Sequence, residues 1–72
     1  MNYDYSKLEG KIIEVFGTRG KFAKAMGMSE RTLSLKLNNR VPWKQNEMDK
    51  ALGLLKSTEA SIKPYFFTYK VQ

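Results

Sequence analysis

Seventy-two residues, 42% of them hydrophobic, have material for one compact domain and no second core. With neither cysteine nor histidine, the chain has no disulfide and no ligand set for a structural metal site, so stability rests on helix packing or on a partner. Thirteen lysines and arginines against seven acids give a net charge of +6, which points toward a polyanion such as nucleic acid, although scattered lysines also describe an ordinary solvated surface.

The first helix signal is Ser6-Lys7-Leu8-Glu9, in which Ser6 caps the backbone and Glu9 reaches back to complete a capping box. Leu8, Ile12, Ile13, Val15 and Phe16 follow at helical spacings and Gly17 supplies a stop, so the first helix covers about residues 7–16. Thr18 is the next cap. Phe22, Ala23 and Met26 then form a short apolar face that ends at Gly27, giving a second helix over about 19–26. Gly27-Met28-Ser29 reads as a three-residue turn: glycine takes positive φ, Met28 drops into the core and Ser29 caps a third helix over about 30–37, with Leu33 and Leu37 on one face.

Asn38-Asn39-Arg40-Val41-Pro42 has the composition of a loop, with Trp43 as a core anchor beside it. Met48, Ala51, Leu52, Leu54 and Leu55 place a fourth helix over about 45–55. Ser57-Thr58-Glu59 opens a short fifth helix that carries Ile62 inward, with an end blurred by Pro64. The tail from Tyr65 to Gln72 is rich in β-formers and reads as an extended arm or strand. Its aromatics and Val71 either close the core, the reading favoured for Phe66 and Phe67, or form a strand that pairs two subunits. The expected fold is all-α: a single domain over 1–72, a compact bundle of four to five helices with a short extended C-terminal tail.

Several function classes are disfavoured. There is no glycine-rich phosphate loop and the seven acids are dispersed, so neither catalysis nor a cofactor is expected. No apolar run reaches the roughly 20 residues of a membrane span, and the N-terminus lacks a signal-peptide core, so the expectation is a soluble protein of the cytoplasm with no membrane partner.

The informative constellation is Phe22-Ala23, Met26-Gly27-Met28, then Leu33 and Leu37. A small residue on the second helix lets the third cross it closely, glycine makes the sharp turn, and flanking apolar residues lock a steep crossing that presents the third helix to a major groove. The competing reading is an ordinary helical hairpin.

Thr18 through Leu37, followed by Asn38-Asn39-Arg40, resembles the helix-turn-helix of Cro-like and C1-type phage repressors. Tyr3-Asp4-Tyr5-Ser6-Lys7-Leu8 and Tyr65-Phe66-Phe67 extend the likeness to a Cro-like group from phages of Gram-positive bacteria, and within it to antirepressors that modulate repression in lactococcal temperate phages. The resemblance implies a bacterial cytoplasmic regulator that opposes the lysogenic repressor in the lytic–lysogenic switch. Its partners would be double-stranded operator DNA, bound as a homodimer because phage operators are commonly two-fold symmetric, or the repressor's N-terminal DNA-binding domain, or both. The alternative is an antirepressor that binds protein alone, with little DNA affinity.

Carried over by position, the base-reading or partner-reading side chains fall at Ser29, Glu30, Arg31, Ser34 and Leu35. Arg31 suits guanine, Glu30 cytosine, and Leu35 a thymine methyl. Phosphate contacts fall at Thr18, Arg19, Lys21, Asn38, Asn39 and Arg40, with Lys36 and Lys44 close enough in sequence to join them. Glu30 and Leu35 depart from the amide-rich face of many family members. They suit an interface with an apolar centre and charged rim; the competing reading of Leu35 is a partly buried helix residue.

Overall fold

The computed structural model describes residues 2–70, so the expected part of Val71 in the tail lies outside the described residues. Five α-helices follow in order: α1 Ser6–Phe16, α2 Arg19–Met26, α3 Glu30–Leu37, α4 Gln45–Leu54 and α5 Ile62–Phe66, the last preceded by a short 3-10 turn over Glu59–Ser61. Among the described residues there is no strand longer than the single antiparallel bridge between Tyr3 and Tyr69.

Local chemistry explains most boundaries. The Thr18 hydroxyl accepts from Lys21 N at 3.2 Å and the Ser29 hydroxyl from Thr32 N at 3.0 Å, each satisfying an N–H orphaned at a helix start. Gly27 turns left-handed at φ 78°, and its N–H and that of Met28 bond back to carbonyls of α2, so the turn expected at 27–29 forms. The ε-ammonium of Lys50 on α4 donates to the Met26 carbonyl at 3.2 Å, placing a cation at the negative end of α2.

At α1 the expected cap is displaced. Ser6 is the first helical residue, and the acceptor is Asp4, whose Oδ1 takes bonds from Ser6 N at 2.9 Å and Ser6 Oγ at 2.6 Å. Those bonds hold the Asp4 carboxyl below its ordinary value. Glu9 pairs instead with Arg19. At α4, Glu47 Oε1 accepts from Lys44 N at 2.9 Å. Pro64 sits in the first turn of α5, where its missing N–H would have had no helical partner, so it does not break the helix.

The core joins Tyr5, Leu8 and Ile12 from the first segment to Phe22, Ala23 and Met26, Leu33 and Leu37, Trp43, Ala51, Leu52 and Leu55, and Phe66. Aromatic edges interlock within it: Trp43 lies 5.1 Å from Phe66 and 6.4 Å from Tyr5, and Phe16 lies 5.3 Å from Phe22, all tilted. Ala23, 1% exposed, is the small residue that the α2–α3 crossing needs.

Ile13 and Val15 face solvent, at 48% and 37% exposure, because on α1 only the stripe through Leu8 and Ile12 meets α2 and α5. One expectation for the core requires correction, at Phe67. Phe66 is buried but Phe67 is 40% exposed: α5 ends at Phe66, and the next side chain swings to the surface to lie edge-on against Tyr3. The tail then folds back on the N-terminus. Asp4 N donates to Thr68 O at 2.6 Å and Lys70 N to Asn2 O at 3.2 Å, with the Tyr3 and Tyr69 rings stacked 5.3 Å apart.

Candidate functional site

The outer surface of α2 and α3 is built by that crossing. Leu33, Lys36 and Leu37 face inward on α3, so the opposite side carries Arg31, Ser34, Leu35 and Asn38. Ser29, Glu30 and Arg31 are exposed at the start of the helix; Ser34 and Leu35 are half-buried. Leu35 is therefore the partly covered residue of the two alternatives, an apolar shoulder and not a projecting knob.

The Glu30 carboxylate leans back over α2. Its Oε1 is 3.4 Å from where a Cβ on Gly20 would stand, beside the first turn of α2, whose free N–H groups favour a negative charge. Arg31 makes no ion pair among the described residues. It is the strongest exposed donor on the face.

The expected phosphate-contact residues divide into two groups. Thr18, Arg19, Lys21, Asn38, Arg40 and Lys44 are exposed, as is Lys24, which spacing three beyond Lys21 on α2 would have added to them. Arg19 is shared with Glu9, and Asn38 Nδ2 donates back to the Ser34 carbonyl at 2.9 Å.

Lys36 is committed elsewhere, which corrects the expectation of a phosphate contact there, and the Asn39 amide is held by the N-terminal segment. Lys36 is 3% exposed. Its ammonium meets Glu47 Oε1 at 2.8 Å and donates to the Pro42 carbonyl at 3.1 Å, 5.9 Å from the Trp43 ring centroid. Three residues past Leu33, it falls on the inward stripe, and its aliphatic stem carries the charge to a partner on α4. Burial presses the Glu47 carboxyl upward, but bonds from Lys36 and from Lys44 N, with the charges of both lysines, outweigh it and hold the group below its ordinary value.

Asn39 adopts left-handed backbone at φ 61°. Its Oδ1 accepts from Tyr3 N at 2.8 Å and its Nδ2 donates to Tyr3 O at 3.0 Å. The amide thus pairs with the N-terminal segment as a neighbouring strand would, on the edge opposite the tail, and these two bonds use its oxygen and one of its two N–H groups.

Among the described residues, no cluster of three or more potential metal-ligating residues occurs, and no helix is long and apolar enough to cross a membrane. The α2–α3 face carries the Arg31 guanidinium, hydroxyls at two helix starts, a half-covered leucine and a fringe of lysines.

Comparison with known proteins adds relatives. The family model described as "protein of unknown function (DUF739)" matches residues 1–69. The solution structure of the modulator of repression (MOR) of the temperate bacteriophage TP901-1 from Lactococcus lactis is similar with a TM-score of 0.82 and 54% identity, covering 100% of this chain and 97% of that one. No curated protein matches. By sequence and by backbone the chain belongs to the DUF739 family, with a phage modulator of repression as a full-length relative.

Proposed function

We propose that this protein modulates repression in a phage lytic–lysogenic switch by docking the outer face of α3, flanked by the start of α2, onto the DNA-binding domain of the lysogenic repressor. The carrying observation is the character of that face. Glu30 lies against Gly20, Leu35 keeps part of its surface open and Arg31 forms no ion pair among the described residues, while the expected phosphate contact Lys36 is turned inward and the Asn39 amide is held by Tyr3. A mixed-charge rim around a modest apolar centre fits a protein surface better than a uniform polyanion. The chain's full-length relative, a phage modulator of repression, supports the regulatory setting.

Operator DNA is the second reading. It is favoured by the net charge of +6 and by the exposed Lys21, Lys24, Arg31, Arg40 and Lys44, which could neutralise phosphates beside a groove-bound helix. A homodimer belongs to this reading only, through two-fold operator symmetry.

Co-elution with the repressor's DNA-binding domain on size exclusion, together with a gel-shift titration on operator DNA, separates the two. The protein reading expects a stable heterocomplex that Leu35→Asp and Arg31→Ala each weaken about tenfold or more. No shift of the repressor peak, with tight sequence-specific retardation of operator DNA by this protein alone, would refute it.

A further inference from the structure

A cleft of about 270 Å³ opens between the N-terminal segment, the loop after α3 and the end of α5, walled by Tyr3, Tyr5, Val41, Trp43, Phe66 and Phe67. We propose that this cleft is a second docking point, for an acidic segment of a partner protein that inserts one large apolar side chain. It goes beyond the α3 face and does not depend on it.

Size sets the kind of occupant. A cavity near 150 Å³ holds a benzene ring and cofactor-sized ligands need upward of about 300 Å³, so the cleft suits one bulky side chain with the backbone that carries it. The walls are aromatic and held in place before any ligand arrives. Asn39 ties Tyr3 from one side, and the bridge to Tyr69 ties it from the other. Trp43 is wedged between Tyr5 and Phe66. Its indole N–H is buried with no acceptor among the described residues. A preformed apolar wall loses little entropy on binding.

Charge selects the flanks of the occupant. Arg40 and Lys44 adjoin the lining residues in the loop, and Lys70 follows the bridge; all three are exposed and form no ion pair among the described residues. The carboxylates beside the lining keep their charge, but Glu47 is paired with Lys36 and Asp4 lies within reach of the Lys70 charge, which leaves Arg40 and Lys44 in excess. The surroundings are therefore net positive, and acidic residues on either side of the anchor complement them.

Trp43, the single tryptophan, lies in the wall and reports occupancy by its own fluorescence. The probe is the blocked peptide Asp-Glu-Leu-Glu-Asp, titrated into the full chain to about 1 mM at low salt. The expected result is a saturable change in Trp43 emission, weakened about tenfold or more when the central leucine is replaced by alanine. It also weakens severalfold at about 0.5 M salt and is lost with lysine flanks. Val41→Glu abolishes binding; should that variant fail to fold, the surface change Arg40→Glu, expected to weaken it severalfold, serves instead.

No saturable change, or equal binding by the alanine-centred peptide, overturns the proposal, the latter by reducing the effect to charge. Trp43 emission that shifts with protein concentration alone also overturns it, because a second copy of the chain is then the occupant.

Discussion

Replacing Glu47 with glutamine should destabilise the domain more than removing the buried lysine it faces. Taking one partner from a buried ion pair costs about 3–5 kcal/mol, because the remaining charge is stranded away from water. Lys36 is 3% exposed, so Glu47→Gln leaves an ammonium there with only the Pro42 carbonyl, the Trp43 ring and a neutral amide. The amide oxygen keeps an acceptor for Lys36 and for Lys44 N, which brings the expected loss down to about 2 kcal/mol. Against the roughly 4–11 kcal/mol available to a domain of this length, that is a large fraction. Lys36→Met tests the other half: methionine fills the stem's path, while Glu47, with 19% of its side chain exposed, keeps water and the Lys44 N–H, for a cost of about 1 kcal/mol or less. Urea unfolding followed by far-UV circular dichroism gives both values, and the double variant should be less destabilised than the sum of the singles. A loss under about 0.5 kcal/mol for Glu47→Gln, or a larger loss for Lys36→Met than for Glu47→Gln, would refute the reasoning.

The same pair sets an acid limb. Glu47 is depressed in the folded protein relative to its ordinary 4.5, so its contribution is present in full above about 4.5 and disappears as pH falls through the lower folded value; wild-type stability should drop there and the Lys36→Met curve should be flatter. Asn39→Ala removes both bonds to Tyr3 and strains a left-handed residue, for an expected loss of about 1–3 kcal/mol, with faster amide exchange at Asp4 and Lys70 where the tail bridge loosens. Gly27→Ala at φ 78° should cost about 1–2 kcal/mol in urea unfolding, whereas Arg31→Ala, on an exposed face, should stay within about 0.5 kcal/mol of wild type while weakening partner binding.

The α2–turn–α3 unit was legible because its determinants lie within four residues of what they act on. Thr18 reaches Lys21 N, Ser29 reaches Thr32 N, and Gly27 supplies the left-handed turn between the two helices; each interaction is carried by local backbone geometry. Helical periodicity likewise placed Leu8, Ile12, Phe22, Leu33, Leu37 and Ala51 inside. The exposed Ser29, Glu30 and Arg31 follow from the same arithmetic, since they open a helix whose inner stripe begins at Leu33.

Other features depended on partners distant in sequence. Composition does not show that Lys36 finds Glu47, that Asn39 finds Tyr3 across 36 positions, or that Phe66 packs on Trp43 while Phe67 turns outward to Tyr3. The spacing from Leu33 to Lys36 was a signal for burial, but a lysine's intrinsic preference for water opposes it, and only a carboxylate supplied by α4 reverses the balance. Sequence by itself therefore determined the helices, the caps at Thr18 and Ser29 and the turn at Gly27, through short-range backbone bonds and apolar periodicity. Tertiary structure alone decided which of the basic and amide groups remain on the surface, because that depends on long-range pairing energies set by how the helices meet.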